Sequence, residues 1–593
     1  MEDREKQIVD NLRIKDDLNT ARELFFINTQ MLSEIVDAKD PYTEGHSERV
    51  RLFSVEIGKD LKLSKKDLAI LSLAAKLHDI GKLKIPDNIL KKPGPLSPAE
   101  RNEIERHSIY SEQLLGKHPA LEPVLSAIRS HHERLSGQGY PDKLEGEMIP
   151  FLSKIITVSD VFDAMTSHRV YRKGVYTDEE TVSYIEKNSG IFFDGIIVKS
   201  FVKLFKRGVF DFCNGEYLRR LYPQKAYEYY IKALSKCKTD KWKEVILFRL
   251  GNILNALWKP IEAISYLEKA LSYKGEYRYR IMNEIAFSNY YMGNINALYK
   301  NFINIKKEEA NVPLIEIIRT YFSLLLYYSR KYDFDKAYSI VNDLEMMFEE
   351  VKRGEYLLAN EDLLVGIEKK RLMFDDFIYL QSKSYNMMAD IMRNQGEFKK
   401  AHRYYNLSIG LKTISGDILG RAMTLYGSAL AYLQEGNLKK AKIVALNCLS
   451  SNYENIDKYG IYLANILIAD IYREMNQLDK AIFFLIKAKE LIKFTKKNDD
   501  YYKYYISNWL YMIKTGKEID VIKGIEKVID SEDYSIIVKG DVLYCYAMAL
   551  ESFDMVDAKE KYKKSLEIYR QLNQIPNIKK IENRLKFIKS LKD

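Results

Sequence analysis

The chain has 593 residues, 46% of them hydrophobic and 30% charged, so it exceeds a single hydrophobic core and is too apolar to remain disordered. Its 93 basic and 83 acidic residues leave a net charge of +10, thinly spread and gathered into no dense Lys/Arg block, which argues against a nucleic-acid partner. No stretch approaches about 18 uninterrupted apolar residues, the start MEDREKQIVD lacks the apolar core of a signal peptide, and Cys213, Cys237, Cys448 and Cys545 form no CxxC pair. A reducing cytoplasm with no membrane span is expected.

Residues 1–35 read as a charged amphipathic helix with Ile8, Leu12, Leu18, Leu24 and Leu32 among polar neighbours. Its poor heptads favour a linker or packing helix over a dimerising one, although a homodimer is compatible with it. From residue 36 to about 208 short helices alternate with Gly/Pro loops, and nine of the 13 prolines fall before residue 151. This stretch holds most of the chemistry. Six of eight histidines lie between Glu44 and Glu133. His46 shares a helical face with Val50, Phe53 and Ile57; His78 and Asp79 end the apolar run LAILSLAAKLHD. His107 follows the capping box that begins at Ser97 and Pro98 and lies on the face of Ile104, Tyr110 and Leu114. His131 and His132 follow Ile128 on the face of Val124 and Leu125, and Asp160 stands in the apolar segment SKIITVSDVFDAM.

One histidine on an apolar face is usually a satisfied core residue. Five histidines and two aspartates aimed at one small core would cost several kcal/mol each without partners. A cluster of divalent cations removes that cost, and the oxygen and nitrogen donors suit Fe, Mn or Zn rather than a thiolate-held structural zinc. His118, in a Pro-flanked turn, and His402, on a solvated helix, stand apart from the cluster, and His168 beside SHRVYR fits either reading.

The segment KRGVFDFCNGEY (206–217), with two glycines and an asparagine, is the expected junction to a second domain over 215–593. There the chain is helical almost without punctuation, so the fold class is all-α. A register recurs: a small residue, a large one four later, a small one three further. Examples are Ala226/Tyr230/Ala233, Ala263/Leu267/Ala270, Ala401/Tyr405/Ser408, Ala441/Ala445/Cys448 and Ala481/Leu485/Ala488. Gly251, Ala389, Ala429 and Ala469 stand twelve residues before four of these units. Closely packed helices need small side chains at such points. The pattern resembles the tetratricopeptide repeat, whose period is about 34 residues, and residues 300–380 and 495–540 fit it poorly. Such an array offers a long concave surface for a protein or peptide partner.

HDIGK (78–82), KLKIPDNILKKPGPLSPAE, HHERLSGQGYP (131–141), SDVFDAMTSHRVYRK (159–173) and the opening DPYTEGHSERV (40–50) together resemble the HD-GYP subgroup of HD-domain hydrolases. One departure is Ser136, where the family more often has Asp or Asn. The resemblance implies a bacterial signal-transduction phosphodiesterase that opens cyclic di-GMP to pGpG or GMP with two divalent metal ions, Fe or Mn. It implies that Asp79 bridges them, that His46, His78 and Asp160 complete one site, and that His107, His131 and His132 complete the other. Lys82 is then expected on a phosphate oxygen, Arg169 and Arg172 on the second phosphate or guanine, and Gly139, Tyr140 and Pro141 at the lip. Family members with a third metal place a glutamate four residues before the first histidine; here that residue is Tyr42, while Glu44 and Glu48 point away from His46 around a helix. Two alternatives remain open: another cyclic dinucleotide such as cyclic GMP-AMP, or an adaptor whose hydrolase domain is idle.

Overall fold

The computed structural model describes residues 32, 35–37, 39–40, 45–92, 94–167, 176–219, 222–257, 259–354, 363–415, 417–454, 457–491, 529, 536–550 and 555–590. Most of the expected N-terminal helix, and Tyr42, Glu44, His168, Arg169 and Arg172, lie outside them. Among the described residues the secondary structure is helical and contains no strand, only two isolated bridges, as the all-α reading requires. None of the described helices is long and apolar enough to cross a membrane. The chain forms two compact units, Met1–Glu316 with Glu349–Phe374, and Ile317–Phe348 with Asp375–Asp593.

The first unit opens with α1 (His46–Asp60) and α2 (Lys65–Leu77), followed by a 3₁₀ turn over Ile80–Lys84. Next come α3 (Pro98–Glu105), α4 (His107–Leu115), α5 (Glu122–Arg129), α6 (Phe151–Thr166), α7 (Asp178–Lys187), α8 (Gly195–Lys206) and α9 (Val209–Leu218). Their apolar faces meet in one core, with Val50, Phe53 and Ile57 from α1, Leu71, Ala74 and Ala75 from α2, and Ile155 and Phe162 from α6. Local sequence sets the helix starts. Ser64 caps α2 by accepting from the Asp67 amide, and Ser97 with Glu100 forms a reciprocal capping box at α3.

The segment expected to join the two regions is helix α9, built into both neighbours. Val209, Phe210 and Cys213 are buried in the first core, where Phe210 lies 5.1 Å from both Phe53 and Phe201, centroid to centroid. Its opposite face, with Phe212 and Leu218, packs against Ala226, Tyr230 and Ala233 of α10 (Pro223–Lys236). A Cβ on Gly215 would run into the Tyr230 ring, so this glycine permits a close helix contact rather than a break. Consequently the compact units do not divide at residues 208–215.

Antiparallel pairs continue with α11 (Asp240–Ala256), α12 (Pro260–Leu271), α13 (Arg278–Tyr291) and α14 (Asn296–Lys306). In the second unit α15 (Phe398–Ile414) is followed by the pairs α16 (Ile418–Glu435) with α17 (Leu438–Glu454), and α18 (Lys458–Glu474) with α19 (Leu478–Leu491). The expected contact positions are buried throughout: Ala226, Tyr230, Ala233, Ala263, Leu267, Ala270, Ala401, Tyr405, Ser408, Ala441, Ala445, Cys448, Ala481, Leu485 and Ala488. Gly251 admits the Leu267 side chain where a Cβ would clash. Helices also occupy 314–354, where the register looked weak; there Ala337, Val341 and Leu344 are buried at the same spacing with bulkier residues. Ala558, Tyr562 and Ser565 repeat the register once more, a unit the sequence reading had missed.

Candidate metal centre

Three histidines stand where helices end. His78 caps α2, His107 follows α3, and His131 follows α5. In each, Nδ1 meets the carbonyl three residues earlier: His78 with Ala75 at 2.8 Å, His107 with Ile104 at 2.7 Å and His131 with Ile128 at 2.5 Å. A carbonyl only accepts, so Nδ1 carries the proton and Nε2 presents its lone pair to the interior. His46 instead begins α1, after Gly45 in a left-handed conformation, and its Nδ1 lies 2.8 Å from Oδ2 of Asp163 on α6.

Three of these Nε2 atoms converge on Asp79. Oδ1 of Asp79 lies 3.3 Å from His107 Nε2, while Oδ2 lies 3.4 Å from His78 Nε2 and 3.6 Å from His46 Nε2. Asp160 reaches His46 Nε2 at 3.2 Å through one oxygen and His132 Nδ1 at 3.7 Å through the other. Two groups of donors are thereby compact enough for a cation each: Asp79, His107, His131 and His132, and His46, His78 and Asp79. Asp79 belongs to both.

Electrostatics test whether a cation fits. Burial lowers His107, His131 and His132, the last to about 3, so these rings are neutral. His107 and His131 then turn Nε2 lone pairs on each other across 3.4 Å with no proton between them. The buried His78 Nε2 has no hydrogen-bond partner. Burial opposes ionisation of Asp79 and Asp160, but Lys82, His78 and His107 outweigh it at Asp79, and His46, His132 and His78 outweigh it at Asp160, holding both well below the carboxylate range. Burial likewise works against charge on His46, yet Asp160 and Asp163 raise it to about 9. Lone pairs facing lone pairs around anionic carboxylates are the donor set of a divalent cation pair, and the residues fit one.

Packing around the cluster is tight. A Cβ on Gly81 would strike the His107 carbonyl, and Ser111 Oγ donates to His78 O at 2.9 Å and accepts from Gly81 N at 2.8 Å. The Lys39 ammonium donates to the carbonyls of Lys82, Leu83 and Ile85 at 3.2, 2.8 and 2.7 Å. Lys82 Nζ sits 2.8 Å from Asp79 and 3.2 Å from Asp40. Tyr140 lies at the edge, its ring 4.7 Å from that of His132. Gly139 has no room for a Cβ against the backbone of Glu133 and Arg134, and Pro141 follows a cis bond. The Glu133 carboxylate accepts from the amides of Asp142 at 2.7 Å and Leu144 at 3.1 Å, tying this loop down. Glu48 turns away from His46 to Arg51 and Lys76. His402 belongs to the second unit, stacked 3.8 Å from Tyr432 and bonded to Glu435.

Sequence reasoning missed the supports Asp163 and Arg49. Arg49 donates to Asp163 through Nε at 2.6 Å and Nη2 at 3.0 Å. Their signal was spacing: Asp163 falls three residues after Asp160 and Arg49 three after His46, one helical turn along the same faces.

The site is therefore a cluster of histidines and aspartates in a helical domain that could hold metal ions. Residues 30–197 match the HD domain family, and residues 462–494 match the tetratricopeptide repeat. Over 155 residues the chain is 42% identical to the 3′3′-cGAMP-specific phosphodiesterase 3 of Vibrio cholerae, covering 26% of this chain and 34% of that protein. It is 36% identical over 185 residues to the cyclic di-GMP phosphodiesterase response regulator RpfG of Xanthomonas campestris, covering 31% and 48%. It is also 36% identical over 196 residues to a cyclic di-GMP phosphodiesterase of Thermotoga maritima, covering 32% and 53%. The chain thus spans between 34% and 53% of the length of these relatives. The likeness to these HD-domain proteins is confined to the N-terminal region, and one C-terminal segment matches the tetratricopeptide repeat.

Proposed function

We propose that this chain is a metal-dependent phosphodiesterase that hydrolyses cyclic di-GMP to pGpG or GMP. The observation that carries this is the convergence of the His46, His78 and His107 Nε2 atoms on the two oxygens of Asp79, with His131 Nε2 beside that of His107 and Asp160 closing the cluster. His46, His78 and Asp160 would hold one ion and His107, His131 and His132 the other, with Asp79 shared. Divalent ions such as Fe or Mn, when bound there, polarise a phosphate and make a water acidic enough to act as nucleophile near neutral pH.

The chain's own groups supply the rest. Lys82, on Asp79 and Asp40 beside the proposed metal site, would turn to a phosphate oxygen and offset charge building there. Tyr140 beside His132 would flank the entering nucleotide, on a loop pinned by Glu133. Arg169 and Arg172 are proposed for the second phosphate or guanine. The repeats are proposed to bind a protein or peptide.

A second reading, hydrolysis of 3′3′-cyclic GMP-AMP, is favoured by the 42% identical relative that bears that name. Chromatography of products from Mn- or Fe-loaded protein, offered cyclic di-GMP, cyclic GMP-AMP and cyclic di-AMP in turn, separates the two. Cyclic di-GMP is expected to be opened fastest. Turnover of none of them would leave an adaptor with an idle domain.

A further inference from the structure

His46 is the one inward-facing ligand whose Nδ1 rests on a side chain, and that side chain is itself held by a chain of contacts. Asp163 takes Nε and Nη2 of Arg49. The Arg49 guanidinium lies 5.2 Å from the centre of the Tyr217 ring. The hydroxyl end of that ring packs so closely on Gly45, the residue before His46, that a Cβ there would overlap it. Tyr217 belongs to α9, and its chain neighbour Glu216 points the other way, into the first repeat. Glu216 accepts from Tyr230 Oη of α10 at 2.7 Å, and from Arg249 Nε and Nη2 of α11 at 2.7 and 3.1 Å.

We infer that Tyr217 is a positioning residue for His46, and that the Glu216–Arg249 pair lets the first repeat set how tightly the His46 site holds its cation. Groups that orient a metal-bound imidazole typically change metal affinity 10–100-fold when lost. Tyr217 acts two contacts from the ring, through Arg49 and Asp163, and directly against the turn that starts α1. Rotation of α9 by its repeat-side partners therefore moves the support of one ion and leaves the three carbonyl-held histidines in place.

This rests on the reading of His46 as a ligand, and the experiment separates the two. Free Mn²⁺ is titrated by electron paramagnetic resonance against the metal-free full chain and its variants, with circular dichroism to show that each is folded. His46→Ala identifies the binding class to which His46 belongs. Tyr217→Leu is expected to weaken that class on the order of 10-fold and leave the other unchanged. Tyr217→Phe, which keeps the ring over Arg49, should bind as the unaltered chain does. Arg249→Gln should shift the same class in the same direction by a few-fold, and it carries the test should Tyr217→Leu not fold. Variants that melt earlier but bind both ions with unaltered affinity would reduce Tyr217 to a packing residue and overturn the inference. If His46→Ala changes neither class, the ligand assignment itself fails and the inference falls with it.

Discussion

Replacing Asp79 by asparagine keeps the shape of the side chain and removes its charge. In the metal-free protein the change is expected to be mild. Lys82 Nζ lies 2.8 Å from Asp79 and 3.2 Å from Asp40; at an effective dielectric of about 20 the gross attractions are about 6 and about 5 kcal/mol. The lysine therefore keeps nearly half of its ion pairing, and solvent at its partly open end offsets part of the loss. A net destabilisation of about 1–3 kcal/mol, or a shift of a few degrees in melting, is expected. The loaded protein behaves otherwise. Oδ1 faces His107 and Oδ2 faces His46 and His78, so one substitution removes an anionic donor from both donor groups. Elemental analysis should give about two ions per chain before the change and fewer than one after it, with kcat lower by on the order of 10³ or more. A variant that keeps two ions and turns over normally would refute the shared-ligand reading. Three tightly held ions in the unaltered chain would refute the absence of a third site, argued from Tyr42.

Lys82→Ala should lower kcat by roughly 10²–10³ with metal content preserved, and an unchanged rate would confine Lys82 to an ion-pair role. A chain ending at Asn214 loses Glu216, Tyr217 and the α10 cover of Phe212, and it should be less soluble and bind Mn more weakly than one ending after Leu271; equal behaviour would show that α9 needs no partner from the repeats. In the second unit, burial pushes Lys412 from the usual 10.5 down to about 8, although it donates to Thr424 at 2.6 Å. Below about 8 both folded and unfolded states are protonated and the penalty is constant; between about 8 and 10.5 only the unfolded state binds the proton, so stability rises with pH by up to about 3 kcal/mol. Denaturant melts followed across that window should show the rise, and Lys412→Met should flatten it.

The histidine–aspartate cluster was legible because ionisable residues on apolar helical faces break the ordinary pattern, and seven of them break it together. Supports were not, because an aspartate one turn from another, or an arginine one turn from a histidine, reads as solvated surface. The repeats were legible where a small residue such as Ala401 or Ala441 marks a close contact, and obscure where bulk shares the role, as at Val341 and Leu344. In the helices before them polar pairs also join neighbours: the Asn255 amide donates to Glu284, and that of Asn283 to Glu316. Helix α9 was the least legible. Gly208, Asn214 and Gly215 look like a linker, yet Gly208 starts the helix in a left-handed conformation and Gly215 makes room for Tyr230. Composition alone does not separate a glycine that frees the chain from one that lets two helices touch.

The way the proposed ligands are held would leave one of them, His46, open to influence from outside the domain. An α-helix leaves its last carbonyls without intrahelical partners, and Ala75, Ile104 and Ile128 are such carbonyls at the ends of α2, α3 and α5. Each takes the Nδ1 proton of the histidine three residues on, so the same backbone that ends the helix fixes the tautomer and aims Nε2 inward. These three histidines move only if a helix end moves. His46 stands at a helix start, where the backbone offers donors rather than acceptors, and no carbonyl can play this part. It has to borrow an anion from another helix, Asp163, which in turn has to be balanced by Arg49. An acidic support that depends on a cation, which depends on an aromatic ring, is adjustable in a way that a helix carbonyl is not. The ring belongs to Tyr217 on α9, the helix that the first repeat grips through Glu216.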